Sequence, residues 1–360
     1  MKNSEEPIPD LSDSTAAVNS KPEKIKRMTI DPKQLSLSIF DSTQSFIEKA
    51  RSLFKFQVGS NPVYGRFAKH FIPSGELPES VDEIPLLPIR VFKECDLIAD
   101  GFRAKLTFKS SGTGNMERSR HHVADLELYR RSILSEFSNH FNSTDYTLLC
   151  YAPGYSDNSD SSLLWMLQYL VELDEKGLSR FLPLHQPLIQ SDIDEAVQHD
   201  RKIILFGAAF GLLDLLDLDS EGLPDGSQIV ETGGMKTRRR EMSKSELRSR
   251  LSEGFGVPQQ HVHSEYGMCE LMSQLYAIGS EWFDSPEWVH TSVRDPNDPE
   301  RMCSPGEEGK VAIIDLANMY SCPFILTEDR GLMNEEGQIA ILGRWHSAAL
   351  RGCNFLIDRD

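Results

Sequence analysis

Apolar positions along the chain change their spacing several times, and each change marks an element. Between Leu35 and Val58, the residues Leu37, Phe40, Phe46, Ile47, Leu53 and Phe54 follow a helical spacing with a break. The stretch Ile84-Pro85-Leu86-Leu87-Pro88-Ile89 is apolar, but its prolines rule out a helix and predict an extended connection. Leu106-Thr107-Phe108 predicts a short strand running into Ser110-Ser111-Gly112-Thr113-Gly114. Leu126, Tyr129, Ile133 and Phe137 recur at three- and four-residue steps and predict a helix. A strand is expected over 146–151, ending at Ala152-Pro153-Gly154, then an apolar helix over 163–173 and a buried strand over 203–206 ending at Gly207. Ser243 followed by Glu246 is a capping box and starts a helix over 244–254.

After residue 305 the spacing shortens, and 310–316, 322–326 and 338–342 read as three strands joined by turns. Strands alternating with helices, followed by a strand-rich end, predict an α/β core with mixed sheets and a smaller β-rich C-terminal portion. The expected division is 31–305 for the core and 306–360 for the β-rich part. Residues 1–30 are polar, rich in Ser, Pro, Glu, Lys and Asp, without periodicity, and read as a disordered leader. There is no internal repeat.

Composition narrows the function. At 39% hydrophobic and 26% charged, the 360 residues are ordinary for a globular protein. A net charge of -17 argues against a general nucleic-acid binder, which needs a basic footprint, while leaving room for a local nucleotide site. No stretch approaches the ~18–20 uncharged apolar residues of a membrane helix. No apolar signal core follows the N-terminus, so a cytoplasmic location is expected. The six cysteines include no CxxC pair, which disfavours zinc and thioredoxin-like chemistry; reduced, mostly buried thiols are expected.

Four segments carry candidate chemistry. In Ser110-Ser111-Gly112-Thr113-Gly114-Asn115, small residues let backbone N–H groups converge on an anion and hydroxyls add donors; an ordinary turn after a strand fits the composition equally. Arg118-Ser119-Arg120 beside it supplies positive charge, and the spacing is not that of a Walker loop. Glu231-Thr232-Gly233-Gly234 admits close approach of a flat ligand to the backbone, or is a plain turn. In Tyr266-Gly267-Met268-Cys269-Glu270, a carboxylate beyond a glycine turn suits Mg²⁺, or is a surface acid. Last come Thr327-Glu328-Asp329-Arg330-Gly331, an acid at a turn suited to ribose hydroxyls, and Gly343-Arg344, an arginine that can reach a phosphate.

In this order the four segments resemble the phosphate loop, adenine site, magnesium site, ribose site and hinge of adenylate-forming enzymes. The sequence is similar to the acyl-protein synthetases of bacterial bioluminescence operons (LuxE-type), themselves similar to phenylacetate–CoA ligases. The matching blocks are SSGTGNMERSRHHVADLELY at 110–129, APGYSDNSDSSLLWM at 152–166, ETGGMKTRRREM at 231–242 and SEYGMCELMSQLY at 264–276, with IIDLANMYSCPFILTEDRG and LGRWHSAALRGCN within 313–354.

The resemblance implies an adenylate-forming large domain with a truncated C-terminal domain. It implies ATP and Mg²⁺ as cofactors. Ser110, Ser111, Gly112, Thr113 and Gly114 would clamp phosphates, and Gly233 and Gly234 would lie against adenine. Tyr266 and Gly267 would flank the base, Glu270 would hold Mg²⁺, Asp329 would take the ribose, and Arg344 would act at the α-phosphate or ribose. Cys353 would accept the acyl group and pass it to a partner such as an acyl reductase, with a fatty acid as substrate. Arg351 beside Cys353 favours its thiolate. Gly114, Asn115, Thr237, Cys269 and His346 depart from the family pattern. Two alternatives stay open: a ligase releasing acyl-CoA or another free product, and a non-catalytic binding protein on the same fold.

Overall fold

The computed structural model describes residues 31–73, 76–110, 117–142, 144–153, 159–233 and 242–345. The chain opens with helices α1 (Pro32–Ser38), α2 (Phe46–Ser60) and α3 (Pro62–Phe71). The break expected within 35–58 lies between α1 and α2. Glu48 causes the restart by accepting from the Ser45 backbone N–H at 3.0 Å, so the first turn of α2 is capped. Asn61 caps α3, its side chain accepting from Val63 N and Tyr64 N, and Pro62 takes the first helical position. Next come β1 (Leu87–Pro88), the one-turn helix α4 (Val91–Glu94), and the antiparallel hairpin β2 (Leu106–Lys109) and β3 (Arg120–Val123).

The central sheet is built from β4 (Tyr146–Tyr151), β5 (Arg180–Phe181), β6 (Lys202–Ala208), β7 (Gln228–Thr232), β8 (Val262–Tyr266) and β9 (Leu275–Ala277), in the order β5-β4-β6-β7-β8-β9. All neighbours are parallel except β8 and β9. Its connecting helices are α5 (Leu126–His140), α6 (Ser162–Glu172), α7 (Gln190–Gln198), α8 (Ala209–Asp217) and α9 (Lys244–Phe255). Successive strand residues face opposite ways. Cys150, Phe206 and Val230 therefore join one core with residues of α5 and α6, while Leu149, Leu205 and Ile229 join another with residues of α7, α8 and α9. Both faces are covered, which explains why β4 and β6 read as unbroken apolar runs. The Ser243 hydroxyl caps α9 by accepting from Glu246 N at 3.1 Å, and α9 ends at Gly256 in the left-handed region.

A second sheet combines β10 (Val289–Arg294), β11 (Gly309–Asp315), β12 (Phe324–Met333) and β13 (Ile339–Arg344) with β1. β1 runs parallel to the first half of β12, and β13 pairs antiparallel with its second half. Residue 305 thus falls inside one sheet, with β10 and β1 before it and β11 to β13 after it. The extended connection expected around Leu87 is this β1 edge.

One expectation needs correction. Asp329 is not on a turn. The strand read over 322–326 continues as β12 to Met333, so Asp329 lies in mid-strand, just before a register shift between Arg330 and Gly331. Polar residues at 327–330 broke the apolar run, but pairing with β13 carries the strand through them.

Candidate active site

The carboxyl ends of β7 and β8 and the second half of β12 converge at one place. Tyr266 ends β8 and donates its hydroxyl to Asp329 Oδ2 at 2.7 Å. Asp329 stands opposite Arg344 across β12 and β13, and Arg344 Nε donates to its Oδ1 at 3.3 Å. The Asp329 carboxylate is buried, whereas the Arg344 side chain is 72% exposed. Burial, then the Asp329 charge, raise the Tyr266 phenol above its ordinary value, so Tyr266 stays a donor.

Glu270 closes the same region. It is buried, and burial lifts its carboxyl above the usual range; a hydrogen bond from Ser119 and the nearby Arg344 act against that lift, while Asp329 adds to it. Ser119 connects onward: its N–H donates to Ser110 Oγ at 3.0 Å, and Ser110 N–H donates to the Ser119 carbonyl at 3.1 Å. Arg118 Nε donates to the Ser110 carbonyl, and a second guanidinium nitrogen donates to that of Lys109 at 3.2 Å. The stem of the hydroxyl–glycine segment is thereby tied to Glu270 through Ser110 and Ser119. Ser111, Gly112, Thr113, Gly114, Gly234 and Cys353 lie outside the described residues, as do Asn115, Thr237 and His346.

The two glycines that are described serve different needs. Gly233 turns the chain off β7 with φ +72, in the left-handed region that glycine enters at little cost; added bulk would meet nothing within 4 Å. At Gly267 the demand is space, because a Cβ would sit 2.6 Å from Glu265 Oε1.

Sequence reading did not give the contacts that support these segments. Thr232 donates to Glu265 across β7 and β8, and burial lifts the Glu265 carboxyl to about 7. Asp315 is fully buried and accepts from Met272 N at 2.7 Å, Ser273 Oγ at 2.7 Å and Ala317 N at 3.1 Å, fixing the segment after Glu270; burial lifts it to about 6. His121 on β3 lies 2.8 Å from both the Cys269 carbonyl and Asn318 Oδ1; burial pushes its imidazole down to about 4, so the neutral ring has one N–H to donate to one of these two acceptors. Asp315 gave little signal, as a lone acid in an apolar run, whereas Thr232, Glu265 and His121 lie within or beside the segments singled out by sequence and only their partners come from the fold.

The described cysteines, Cys95, Cys150, Cys269, Cys303 and Cys322, are all free thiols. Burial raises every one above the ordinary thiol value, Cys322 to about 12. Among the described residues no group of three or more His, Cys, Asp or Glu could hold a metal, and no helix is long and apolar enough to cross a membrane.

The fold is shared with a CoA ligase of known structure. The structure of an open conformation of 2-hydroxyisobutyryl-CoA ligase, in complex with 2-HIB-AMP and CoA, superimposes with a TM-score of 0.60 at 12% identity, covering 83% of this chain and 69% of that one. The same ligase in the postadenylation state with 2-HIB-AMP gives 0.60 at 13% identity, covering 83% and 67%. By sequence, residues 184–360 match the family described as Acyl-protein synthetase, LuxE. No curated protein matches the chain by sequence.

Proposed function

We propose that this protein activates a carboxylic acid, a fatty acid in the first instance, as acyl-AMP using ATP and Mg²⁺, then moves the acyl group to Cys353 and on to a partner protein. The observation that carries the reading is the chain of contacts Arg344–Asp329–Tyr266 beside Glu270–Ser119–Ser110. Asp329, Arg344, Tyr266, Glu270 and Ser110, to which the resemblance gives ribose, base, metal and phosphate roles, lie together near the carboxyl end of β8, and α/β folds commonly take ligands at that end of the sheet.

In the first step a carboxylate oxygen of the acid attacks the α-phosphorus, an acyl-phosphate bond forms and pyrophosphate leaves. Protein groups contribute position and charge rather than covalent bonds. Asp329 accepts from the ribose as Arg344 swings from it toward phosphate. The Glu270 site fits Mg²⁺: its carboxyl is buried near a second negative charge, so a cation offsets what burial costs. With no further acidic cluster among the described residues, the ion would take most of its ligands from water and the triphosphate, as Mg²⁺ commonly does. In the second step the Cys353 thiolate attacks the acyl carbonyl, a thioester forms and AMP leaves. The lifted thiols of the five described cysteines support Cys353 as the acceptor, because the thiolate is the reacting form. An acyl reductase in the cytoplasm is the kind of partner that would take the acyl group next.

The test is intact-protein mass after incubation with ATP, Mg²⁺ and a panel of fatty and aryl acids, for the unaltered chain and Cys353→Ala. An acyl-mass adduct, removed by hydroxylamine and absent from the variant, supports the reading. Acid-dependent pyrophosphate release without an adduct identifies a ligase with an external acceptor, coenzyme A included. Absence of both signals, with ATP binding also absent, points to a non-catalytic protein on this fold.

A further inference from the structure

We infer that Glu231 reads the 6-amino group of the nucleotide's purine ring and so makes the chain select adenine over a 6-oxo purine. The inference rests on the nucleotide reading above and adds to it the residue that chooses the base.

Glu231 is 2% exposed and lies on β7, two residues before the Gly233 turn. Its partner in register is Ser264 on β8, two residues before Tyr266. Side chains two apart on a strand start from the same face. Glu231, Ser264, Gly233 and Tyr266 therefore approach the sheet end from one side, and the last two are those expected to lie against the base.

The two oxygens of this carboxylate are used unequally. Oε1 accepts from the Ser264 hydroxyl and from Lys244 Nζ, the latter at 2.5 Å. Oε2 is buried and has no hydrogen-bond partner among the described residues. Buried polar atoms nearly always have a partner, and leaving one without is costly. Lys244, the first residue of α9, pairs the charge through Oε1 and leaves Oε2 available. Oε2 can accept but cannot donate. A purine bearing an amine at position 6 offers it an N–H, whereas a carbonyl at that position brings two sets of lone pairs together. Glu265, next along β8, takes no part: it points to the opposite face with Thr232.

The experiment measures binding of ATP, ITP and purine riboside triphosphate to the full chain by calorimetry with Mg²⁺, and nucleotide-driven pyrophosphate release in parallel. The unaltered chain should bind ATP on the order of a hundredfold more tightly than ITP, as a site built for a hydrogen bond rejects its mismatch. The unsubstituted purine, lacking both the donor and the clash, should fall between. Glu231→Gln keeps an acceptor and adds a donor, so it should narrow the ATP/ITP ratio to below about tenfold, chiefly through tighter ITP binding. Equal affinity for ATP and ITP in the unaltered chain overturns the inference whatever the variant does. So does an unchanged ratio in a Glu231→Gln protein that folds by circular dichroism. If ATP drives pyrophosphate release but ITP does so equally well, the inference alone fails; if a folded chain binds none of the three nucleotides, the nucleotide reading fails with it.

Discussion

Thr232 and Glu265 stand directly opposite each other across β7 and β8, and the Thr232 hydroxyl donates to the Glu265 carboxyl. The same carboxyl presses its other oxygen against Gly267, where a Cβ could not fit. One side chain therefore braces the Gly233 turn to the Gly267 turn. It does so from a buried position that disfavours its charge.

This brace should show in stability against pH. The folded Glu265 carboxyl holds its proton up to about 7, compared with 4.5 for an ordinary glutamate, so the folded state binds the proton more tightly. Its contribution is fully present below 4.5 and is lost as pH rises through 7, a span corresponding to roughly 3 kcal/mol. Urea unfolding between pH 5 and 8 should show that loss. Glu265→Gln, neutral throughout, should flatten most of the slope and be the more stable protein at pH 8. A slope untouched by the substitution would remove Glu265 as its source.

Asp315 predicts a different outcome. Its two oxygens take three donors from Met272, Ser273 and Ala317 in a fully buried setting. Asp315→Ala leaves those donors unpaired and should destabilise by about 3 kcal/mol or more in a denaturant titration. Asp315→Asn, which retains an acceptor, should cost less.

For Tyr266 the expectation is a small stability effect with a larger one on ligand. Tyr266→Phe retains the ring against Phe283 but removes the donor to Asp329. A loss of about 1 kcal/mol is expected. On the proposed reading, the KM for ATP should rise several-fold while kcat changes less, which pyrophosphate release would measure.

Thiol reactivity offers the fourth check. At pH 7, Cys150 and Cys322 should resist alkylation in the folded protein and react once it is unfolded, because both are buried and burial keeps each as the thiol. Peptide mapping after brief iodoacetamide treatment reads this directly. Rapid modification of Cys150 or Cys322 in the folded chain would contradict their burial.

Several elements were legible because they obey one local rule. β4 falls on the residues expected, 146–151, as an apolar run bounded by turn residues, and α9 starts where its capping serine predicts. The order of motifs resembled the family now matched over 184–360. Other features depend on distant partners and could not be read locally. α7 and α8 were not expected, and β10 owes its definition to pairing with β11. Asp329 looked like a turn residue until β13 was placed beside it. The Glu231–Ser264 and Thr232–Glu265 contacts follow from the register of β7 on β8, which the sequence does not state.

The placement of residue 305 inside the second sheet limits how the chain can be divided. Cutting there would leave β10 on one fragment and β11, its antiparallel partner, on the other, and β12 would lose β1 as well. Each piece would carry an unpaired strand edge, which invites association with another chain. Split-protein or module-swapping designs should therefore treat 289–344 together with Leu87–Pro88 as one exchangeable unit. The same holds for inheritance by recombination: a crossover at 305 would deliver Asp329 and Arg344 on β12 and β13 without β1 and β10, the strands that complete their sheet.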